Sequence, residues 1–325
     1  MSTHYAIRHL TRFTYASPVS ESVMELRMRP ASDAAQRCLQ FEVDLQPRAR
    51  VFAYRDFLGN WVHHFDLPRR HTRLAVTARA QVQLDPPPER PAALDIEAWR
   101  EVDRWAERGD HWDFRQPSHF AVWSDALVGF ADELGPLASR TADPLGTVRA
   151  LSRAMHRTFA YAPNTTRVDS PIGEALASRR GVCQDFTHIM LALLRRLGLP
   201  CRYVSGYIAP KALGDDDGPT SVATHAWVEV LLPGLGWMGI DPTNDIEAGL
   251  RHVRVAVGRD YADVPPTRGV YKGGATSTLE VAVEVTPGDV LPTLDPAVGA
   301  ASWTSEPEPT AASDAAAHEQ QQQQQ

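Results

Sequence analysis

The sequence predicts an α+β protein in which helical and strand-forming segments occupy separate stretches of the chain. Three observations support this class: residues 3–86 follow a period-two pattern, residues 143–197 a helical pattern, and residues 201–285 strand patterns again. Half-buried strands alternate polar and apolar residues, whereas helices repeat apolar residues every three to four positions. Because the helices precede the strands instead of alternating with them, a doubly wound sheet is not expected.

Residues 1–88 are predicted to form an antiparallel, β-sandwich-like domain. Alternation is clearest over residues 39–45 and 74–84, and residues 56–60 between two strand patterns predict a hairpin turn. Three consecutive prolines follow residue 85. Proline has a fixed φ and no N–H donor, so these residues end the last strand and mark the domain boundary.

A helical connection, residues 89–142, is predicted to lead into a core, residues 143–286. The connection has its strongest helical pattern over residues 120–134. The core opens with Asp143 and Pro144, a helix N-cap followed by proline at the first helical position. An apolar helix is then expected from about Cys183 to the Gly198 stop signal. The expected core strands are residues 201–208, 223–232, 237–240, 253–257 and 279–285.

The last segment, residues 287–325, is predicted to be a disordered tail. It is rich in Pro, Ala, Ser and Glu and ends in five glutamines. Such a composition offers too little apolar surface to offset the entropy of ordering the chain.

Composition disfavours nucleic-acid and membrane partners. The formal charge is −7 and the arginines are scattered, so the basic patch expected of a nucleic-acid-binding surface is missing. No apolar stretch approaches the roughly 20 residues that span a bilayer, and the first residues do not resemble a signal peptide. A cytoplasmic location is therefore expected. The three cysteines form no CxxC pair, which disfavours a disulfide framework or structural zinc site.

Three residues in separate contexts form a candidate catalytic triad. Cys183 opens the apolar helix, His225 lies on a strand, and Asp241 ends the next strand. A thiol needs a neighbouring imidazole to become a thiolate near neutral pH, and the imidazole needs a third group to fix its tautomer. The positive end of a helix favours a thiolate, and its N–H groups can stabilise an oxyanion.

Each of these residues also has a simpler interpretation when taken alone. Cys183 could be a small buried apolar residue, His225 a surface strand residue, and Asp241 part of a strand-ending turn. The sequence Arg-Gly-Val-Cys-Gln-Asp favours a nucleophile, because Gly181 frees the backbone before the cysteine and polar residues flank it.

The hairpin between the second and third core strands limits the triad geometry. Neighbouring strand residues point to opposite faces, so His225 and Asp241 share a face only if the loop has an odd number of residues or the hairpin contains a bulge. A two-residue turn at Gly234 and Leu235 would place the two side chains on opposite faces. The triad hypothesis therefore predicts an odd loop or a bulge.

Residues 180–207, 224–230 and 236–244 resemble the core of the bacterial transglutaminase-like superfamily. Segments 164–166 and 255–264 also fit, and the N-terminal pattern Tyr-x-Ile-Arg-His-x-Thr from Tyr5 resembles the β domain that precedes this core in bacterial members. The resemblance covers residues 1–285. It implies a papain-like transglutaminase core in which Cys183 is the nucleophile, His225 the general base and acid, and Asp241 the orienting carboxylate.

Further site residues are less clearly marked. Tyr161 stands near the position where animal crosslinking relatives carry an oxyanion-donating tryptophan, although packing against Phe159 is an alternative. Gln184 could shape the site. Trp227, together with Tyr207 on the neighbouring strand, is expected to form an aromatic wall for substrate.

The resemblance implies a cysteine hydrolase or acyltransferase that acts on amide or peptide bonds without a cofactor. Amide hydrolysis is favoured over amine transfer to protein glutamine, and an inactive scaffold is the alternative of a different class. A peptide or protein amide is the expected substrate, and an ATP-grasp peptide ligase is a partner expected at family level. No metal is expected: the one conceivable cluster, Cys183, His188 and His225, fails because His188 lies well round the helix from Cys183.

Overall fold

The computed structural model describes residues 1–163, 165–210, 224–288 and 319–321. Asn164 therefore lies outside the described residues, as does most of the tail predicted over residues 287–325. Among the residues that are described, no helix combines the length and apolar character needed to cross a bilayer.

The N-terminal part consists of two antiparallel sheets that face each other. Its first six strands are β1 (Thr3–Val19), β2 (Glu21–Leu26), β3 (Gln36–Gln46), β4 (Val51–Arg55), β5 (Trp61–Leu67) and β6 (His71–Leu84). β1, β6 and β3 lie side by side in one sheet, and β2, β5 and β4 in the other. Apolar residues from both sheets, including Phe13, Leu26 and Phe65, form one buried cluster. The predicted β sandwich is confirmed.

Three helices follow: α1 (Ala98–Arg108), α2 (Asp125–Leu134) and α3 (Pro144–Thr158). α2 begins later than the helical pattern from residue 120 suggests, because the side chain of Ser124 accepts a hydrogen bond from Leu127 N and caps the helix. α3 has the predicted cap, in which the Asp143 carboxylate accepts from Leu145 N and Gly146 N. At both helices the capping residue, Ser124 or Asp143, therefore determines where the helix begins.

The core places a buried helix against an antiparallel sheet. The remaining elements are the short parallel pair β7 (Ala160–Tyr161) and β8 (Arg180–Gly181), the helices α4 (Ile172–Ser178) and α5 (Cys183–Arg196), and the strands β9 (Cys201–Ile208), β10 (Thr224–Leu232), β11 (Gly236–Asp241), β12 (Ile246–Glu247) and β13 (His252–Gly258). The strand order is β12-β11-β10-β9-β13. α5 packs on β9 and β10 and contacts α2, α3 and α4 on its other side. All its residues except Arg196 are therefore buried, not only the apolar face seen in the sequence.

The chain returns to the N-terminal sheets after the core. β14 (Thr267–Lys272) pairs with β2, and β15 (Ser277–Pro287) pairs with β1. These strands therefore pair with the β domain and not with the core to which the sequence boundary at residue 286 assigns them. A three-residue strand, β16 (Glu319–Gln321), pairs with β14 inside the tail expected to be disordered; main-chain pairing at a sheet edge does not require apolar side chains.

The β domain and the core are joined along β13. The Gln36 side chain donates to Arg254 O and accepts from Arg254 N, both at 2.8 Å. Asn60 makes the same pair of 2.8 Å bonds with Val257 O and Val257 N. In the described part of the chain, β13 has a neighbouring strand only on its β9 side, and these two amides bind its backbone groups. Because buried main-chain groups need partners, the β domain completes the core sheet.

Candidate active site

Cys183 is the first residue of α5. Val182 before it is extended, and the first hydrogen bond closed within the helix runs from Phe186 N to Val182 O at 3.2 Å. The N–H groups of Cys183 and Gln184 therefore belong to the unpaired first turn and point along the positive end of the helix. Cys183 itself is 7% exposed.

Asp185 fixes the backbone that leads into Cys183. Its Oδ2 accepts from Val182 N at 2.8 Å and from Thr166 Oγ1 at 2.6 Å. A Cβ on Gly181 would lie 2.7 Å from the same oxygen, so this turn has room only for glycine. Glycine is needed at position 181 because the Asp185 carboxylate occupies the space that a side chain would fill. The sequence did not indicate this role of Asp185.

His225 and Asp241 meet across the β10–β11 hairpin. The register pairs Leu232 with Gly236, which leaves a loop of three residues, and the predicted odd loop is confirmed. The last rung of this ladder joins Val228 to Ile240, so Asp241 lies beyond it on the same face as His225, in a diagonal relation. His225 Nε2 is 2.7 Å from Asp241 Oδ2.

Five donors surround the fully buried Asp241 carboxylate. Oδ2 accepts from His225 Nε2, from Asn244 Nδ2 at 2.7 Å and from His252 Nε2 at 3.1 Å. Oδ1 accepts from Thr243 N at 3.0 Å and from Asn244 N at 3.2 Å. A buried carboxylate with this many donors is stabilised in its ionised form.

The opposite charges of His225 and Asp241 stabilise each other. Burial by itself would lower the pKa of His225, but the Asp241 charge, its hydrogen bond and the hydrogen bond with Cys183 raise that pKa to about 10. Burial would raise the pKa of Asp241, yet His225 and His252 keep it well below its usual range. Because Nε2 of His225 faces Asp241, its Nδ1 is the ring nitrogen available to Cys183. The site therefore favours an imidazolium beside the sulfur.

The space next to Cys183 is small. A cavity of about 10 Å³ is lined by Cys183, Gln184, Tyr203, Ser205, Thr224, His225, Ala226, Tyr261 and Pro266. This volume corresponds to roughly one water molecule. The segment after β13 contributes Tyr261 and Pro266 to this lining.

Both predicted domains match known families. Residues 5–83 match the bacterial transglutaminase-like N-terminal region, and residues 134–242 match the transglutaminase-like superfamily. An uncharacterised protein of Mycobacterium leprae (strain TN) is 34% identical over 281 residues, covering 86% of this chain and 96% of that protein. The chain belongs to the transglutaminase-like superfamily.

Other similarities within the superfamily are more distant. A protein-glutamine gamma-glutamyltransferase of Pseudomonas aeruginosa is 27% identical over 254 residues, covering 72% of this chain and 35% of that protein. The crystal structure of a candidate cysteine protease from Cytophaga hutchinsonii aligns with a TM-score of 0.64 at 21% identity, covering 90% of this chain and 93% of that one. The latter similarity supports the transglutaminase-like fold with its preceding β domain.

The less clearly marked residues Tyr161 and Gln184 both lie near Cys183. Tyr161 is 53% exposed, so it does not pack in the core as the alternative held; it pairs with Gly181 and is near enough to Cys183 to interact electrostatically. Gln184 is buried, lines the cavity, and donates to Val168 O at 2.8 Å. Its amide therefore connects α5 to the preceding loop.

The expected aromatic wall of Trp227 and Tyr207 is wrong. Trp227 is 2% exposed, and its ring packs directly over Gly206. A Cβ at position 206 would lie 2.6 Å from that ring, so the absence of a side chain on Gly206 makes room for Trp227. Tyr207 is also buried, and its hydroxyl is 2.8 Å from His9 Nδ1 of the β domain. The cavity has Tyr203 and Tyr261 as its aromatic residues instead.

The metal cluster considered from the sequence does not assemble among the described residues. His188 stacks on Phe120 and its Nε2 accepts from Tyr261 N, away from His225. The group whose potential ligand atoms lie within 4.8 Å of one another is His225, Asp241 and His252. Its contacts are hydrogen bonds to one carboxylate oxygen that also binds the Asn244 amide. We interpret this group as part of the triad network.

Two hydrogen-bonding neighbours of Asp241, Asn244 and His252, were not identified from the sequence. Asn244 stands in the Asp-Pro-Thr-Asn turn, and the tendency of such residues to bond a nearby carboxylate was an available signal. His252 comes from β13, and only the sheet order brings it to Asp241.

Proposed function

We propose that this superfamily member is a cysteine-dependent hydrolase of amide bonds in peptides or proteins. The observation that carries the proposal is the 2.7 Å bond between His225 Nε2 and Asp241 Oδ2, with the other ring nitrogen of His225 directed to Cys183 at the start of α5. Nucleophile, base and orienting group are then connected in the order that acyl transfer needs.

The first half-reaction forms an acyl-enzyme. The Cys183 thiolate attacks the amide carbonyl carbon, and the carbonyl π electrons move to oxygen. N–H groups of the first turn of α5 are placed to stabilise this oxyanion. The His225 imidazolium then gives its Nδ1 proton to the leaving nitrogen as the C–N bond breaks, leaving a thioester and a neutral imidazole.

The second half-reaction returns the free enzyme. Neutral His225 takes a proton from water at Nδ1, and the hydroxide attacks the thioester carbonyl. Collapse of the second oxyanion releases the carboxylic acid and the Cys183 thiolate beside the imidazolium. Asp241 remains ionised throughout and keeps Nε2 of His225 protonated, so Nδ1 alone exchanges protons.

Water is the favoured acceptor because the cavity offers little to an amine. Among the residues that the structure describes, its lining includes hydroxyl groups of Tyr203, Ser205 and Tyr261 but no carboxylate that could bind an ammonium group. The rival reaction, amine transfer to protein glutamine, is the activity named for the Pseudomonas aeruginosa relative and uses the same acyl-enzyme. An inactive scaffold is the third possibility, which the complete Cys-His-Asp set disfavours.

The test compares hydrolysis with amine transfer on the same set of peptides. Glutamine-containing peptides are incubated with the protein and a labelled primary amine at rising concentration, and the products are quantified by mass spectrometry. We expect hydrolysed or deamidated product to exceed amine adduct at low millimolar amine. Adduct in excess at that concentration would establish crosslinking chemistry instead. The Cys183→Ala protein provides the background, and a thioester trapped on wild type supports the shared intermediate.

Compartment and partner remain predictions. The cytoplasm is expected from the sequence, and fractionation of cells that produce the protein with a tag tests it. An ATP-grasp peptide ligase is the family-level candidate partner, and co-purification of the two proteins tests that association.

A further inference from the structure

A second histidine, His252, shares the Asp241 carboxylate with His225. Its Nε2 lies 3.1 Å from Asp241 Oδ2, and the residue is 5% exposed. It comes from β13 at one edge of the core sheet, whereas His225 and Asp241 come from the adjacent strands β10 and β11. The reaction proposed above does not use it.

The surroundings of His252 fix which nitrogen carries the proton. Gly249 N donates to Nδ1 at 3.3 Å, so Nδ1 is the acceptor and Nε2 the donor toward Asp241. The Trp227 ring packs edge-on against the imidazole with 5.2 Å between ring centroids. Both contacts limit rotation of the ring. His252 is therefore an oriented donor to the triad carboxylate.

A charged form of His252 is disfavoured in this position. Burial lowers its pKa, the Asp241 hydrogen bond and charge raise it, and the charges of His225 and Arg251 lower it. Among the described residues, these three are the titratable or charged groups that act on it. A second proton would also have to occupy Nδ1, which faces the Gly249 N–H group. The imidazole thus remains a neutral donor.

We propose that His252 is a positioning residue that limits how strongly Asp241 stabilises the His225 imidazolium. It occupies part of the hydrogen-bonding capacity of Asp241 Oδ2, the same oxygen that accepts from His225. The inference rests on the proposed function, in which His225 must release its Nδ1 proton once in each cycle. An imidazolium stabilised too strongly is a poor proton donor to the leaving nitrogen.

Alkylation of Cys183 by iodoacetamide as a function of pH tests this role without any substrate. The alkylation rate should change in two steps, the upper of which marks deprotonation of the His225 imidazolium. His252→Leu removes the donor, and we expect the upper midpoint to rise by roughly 0.5–1 pH unit. His252→Gln can place an amide N–H near the position of Nε2, and its midpoint should stay within about 0.2 unit of wild type.

A matched control separates this effect from general damage to the fold. His71 is a buried histidine of the β domain whose ring nitrogens bond Ser22 Oγ at 3.0 Å and Arg69 O at 2.7 Å. His71→Leu also deletes two hydrogen bonds, so a comparable loss of thermal stability is expected, but with an unchanged alkylation profile. A purely structural His252 would give the same result as His71, and that outcome overturns the proposal.

The proposed function can fail independently of this inference. If wild-type protein alkylates in two steps but cleaves no peptide, the hydrolase assignment fails while the comparison of His252 variants remains decisive. If wild type lacks the upper step, both fail. Should His252→Leu not fold, ¹⁵N NMR of the wild-type imidazoles decides: we expect protonated Nε2 and unprotonated Nδ1 at His252 between pH 7 and 9. A protonated Nδ1 in that range overturns the proposal.

Discussion

His225 and Asp241 form a 2.7 Å hydrogen bond although they do not oppose each other in the β10–β11 ladder. The regular rungs end at Val228 and Ile240, and the carboxylate reaches the histidine diagonally on the same face. The turn after β11 makes this reach possible, because Thr243 N and Asn244 N bond the other carboxylate oxygen. The pairing thus depends on a loop of odd length and on a specific turn.

Replacing the carboxylate should reduce stability as well as activity. All five groups around Asp241 are donors, so the amide NH₂ of Asp241→Asn must face at least one of them. We expect a loss of about 2 kcal/mol or more in the free energy of unfolding, measured by urea denaturation. Asp245→Asn, in the same turn, is the control and should cost less than about 0.5 kcal/mol.

Activity of triad variants should fall as a unit. Cys183→Ala and His225→Ala are each expected to lower kcat by about 10⁴-fold or more, and Asp241→Asn by less, because the orienting group is commonly the least costly to lose. The double variant of Cys183 and His225 should be no worse than either single variant. Losses that multiply in the double variant would contradict a common mechanism.

Cys183 should alkylate faster than the other two cysteines. Cys201 is fully buried, and burial raises its pKa to about 11. Cys38 is more exposed than Cys183, but burial of its thiol raises its pKa despite the nearby Arg29. Peptide mapping after brief iodoacetamide treatment at pH 7 measures the three rates. Faster labelling of Cys38 would show that accessibility, and not the imidazole, controls reactivity.

Stability should fall in acid partly through buried neutral histidines. Burial lowers the pKa of His9 to about 3 from an ordinary value of 6.5. Between these pH values the unfolded chain binds a proton at His9 that the folded protein does not. The contribution of neutral His9 to stability is therefore complete above pH 6.5, and below it the free energy of unfolding falls by up to about 1.4 kcal/mol per pH unit. His9→Gln, which keeps a partner for Tyr207, should flatten the slope of unfolding free energy between pH 6.5 and 4. An unchanged slope would exclude His9 as a contributor; His64→Gln on β5 is the control.

The side-chain amides of Gln36 and Asn60, which join the β domain to β13, should stabilise the protein more than surface amides do. Gln36→Ala leaves the N–H and C=O of Arg254 without their side-chain partner, and Asn60→Ala does the same to Val257. We expect each to cost about 1–3 kcal/mol in unfolding free energy. Gln40→Ala, an exposed amide on the same strand as Gln36, should cost under about 0.5 kcal/mol. Equal costs would mean that the contact does not stabilise β13.

Much of the fold followed from local patterns. The strand predicted at residues 201–208 matches β9, and those predicted at 237–240 and 253–257 differ from β11 and β13 by one residue at each end. The short strand β12 was not predicted. The cap at Asp143 and the hairpin turn at 56–60 were also predicted correctly, because caps and turns are made by residues close together in sequence. The three triad candidates were recognisable for a similar reason, since each stands in a distinctive local segment.

Such local patterns do not predict contacts between segments that are far apart in the sequence. Trp227 alternates with His225 and shares its face, yet it lies in a slot opened by Gly206 of the neighbouring strand. Alternation gives the face of a side chain but not what covers that face, so the predicted aromatic wall failed.

The sequence by itself determined the α+β class and the helix start at Cys183, and it limited the hairpin to an odd loop or a bulge if His225 and Asp241 act together. Only the tertiary structure decided that His252 reaches Asp241, that Asp185 fills the space above Gly181, and that β14 and β15 return to the N-terminal sheets. Local backbone preferences depend on neighbouring residues, whereas these contacts depend on which strands lie side by side. Sheet order is set by burial and pairing over the whole chain, which no single segment encodes.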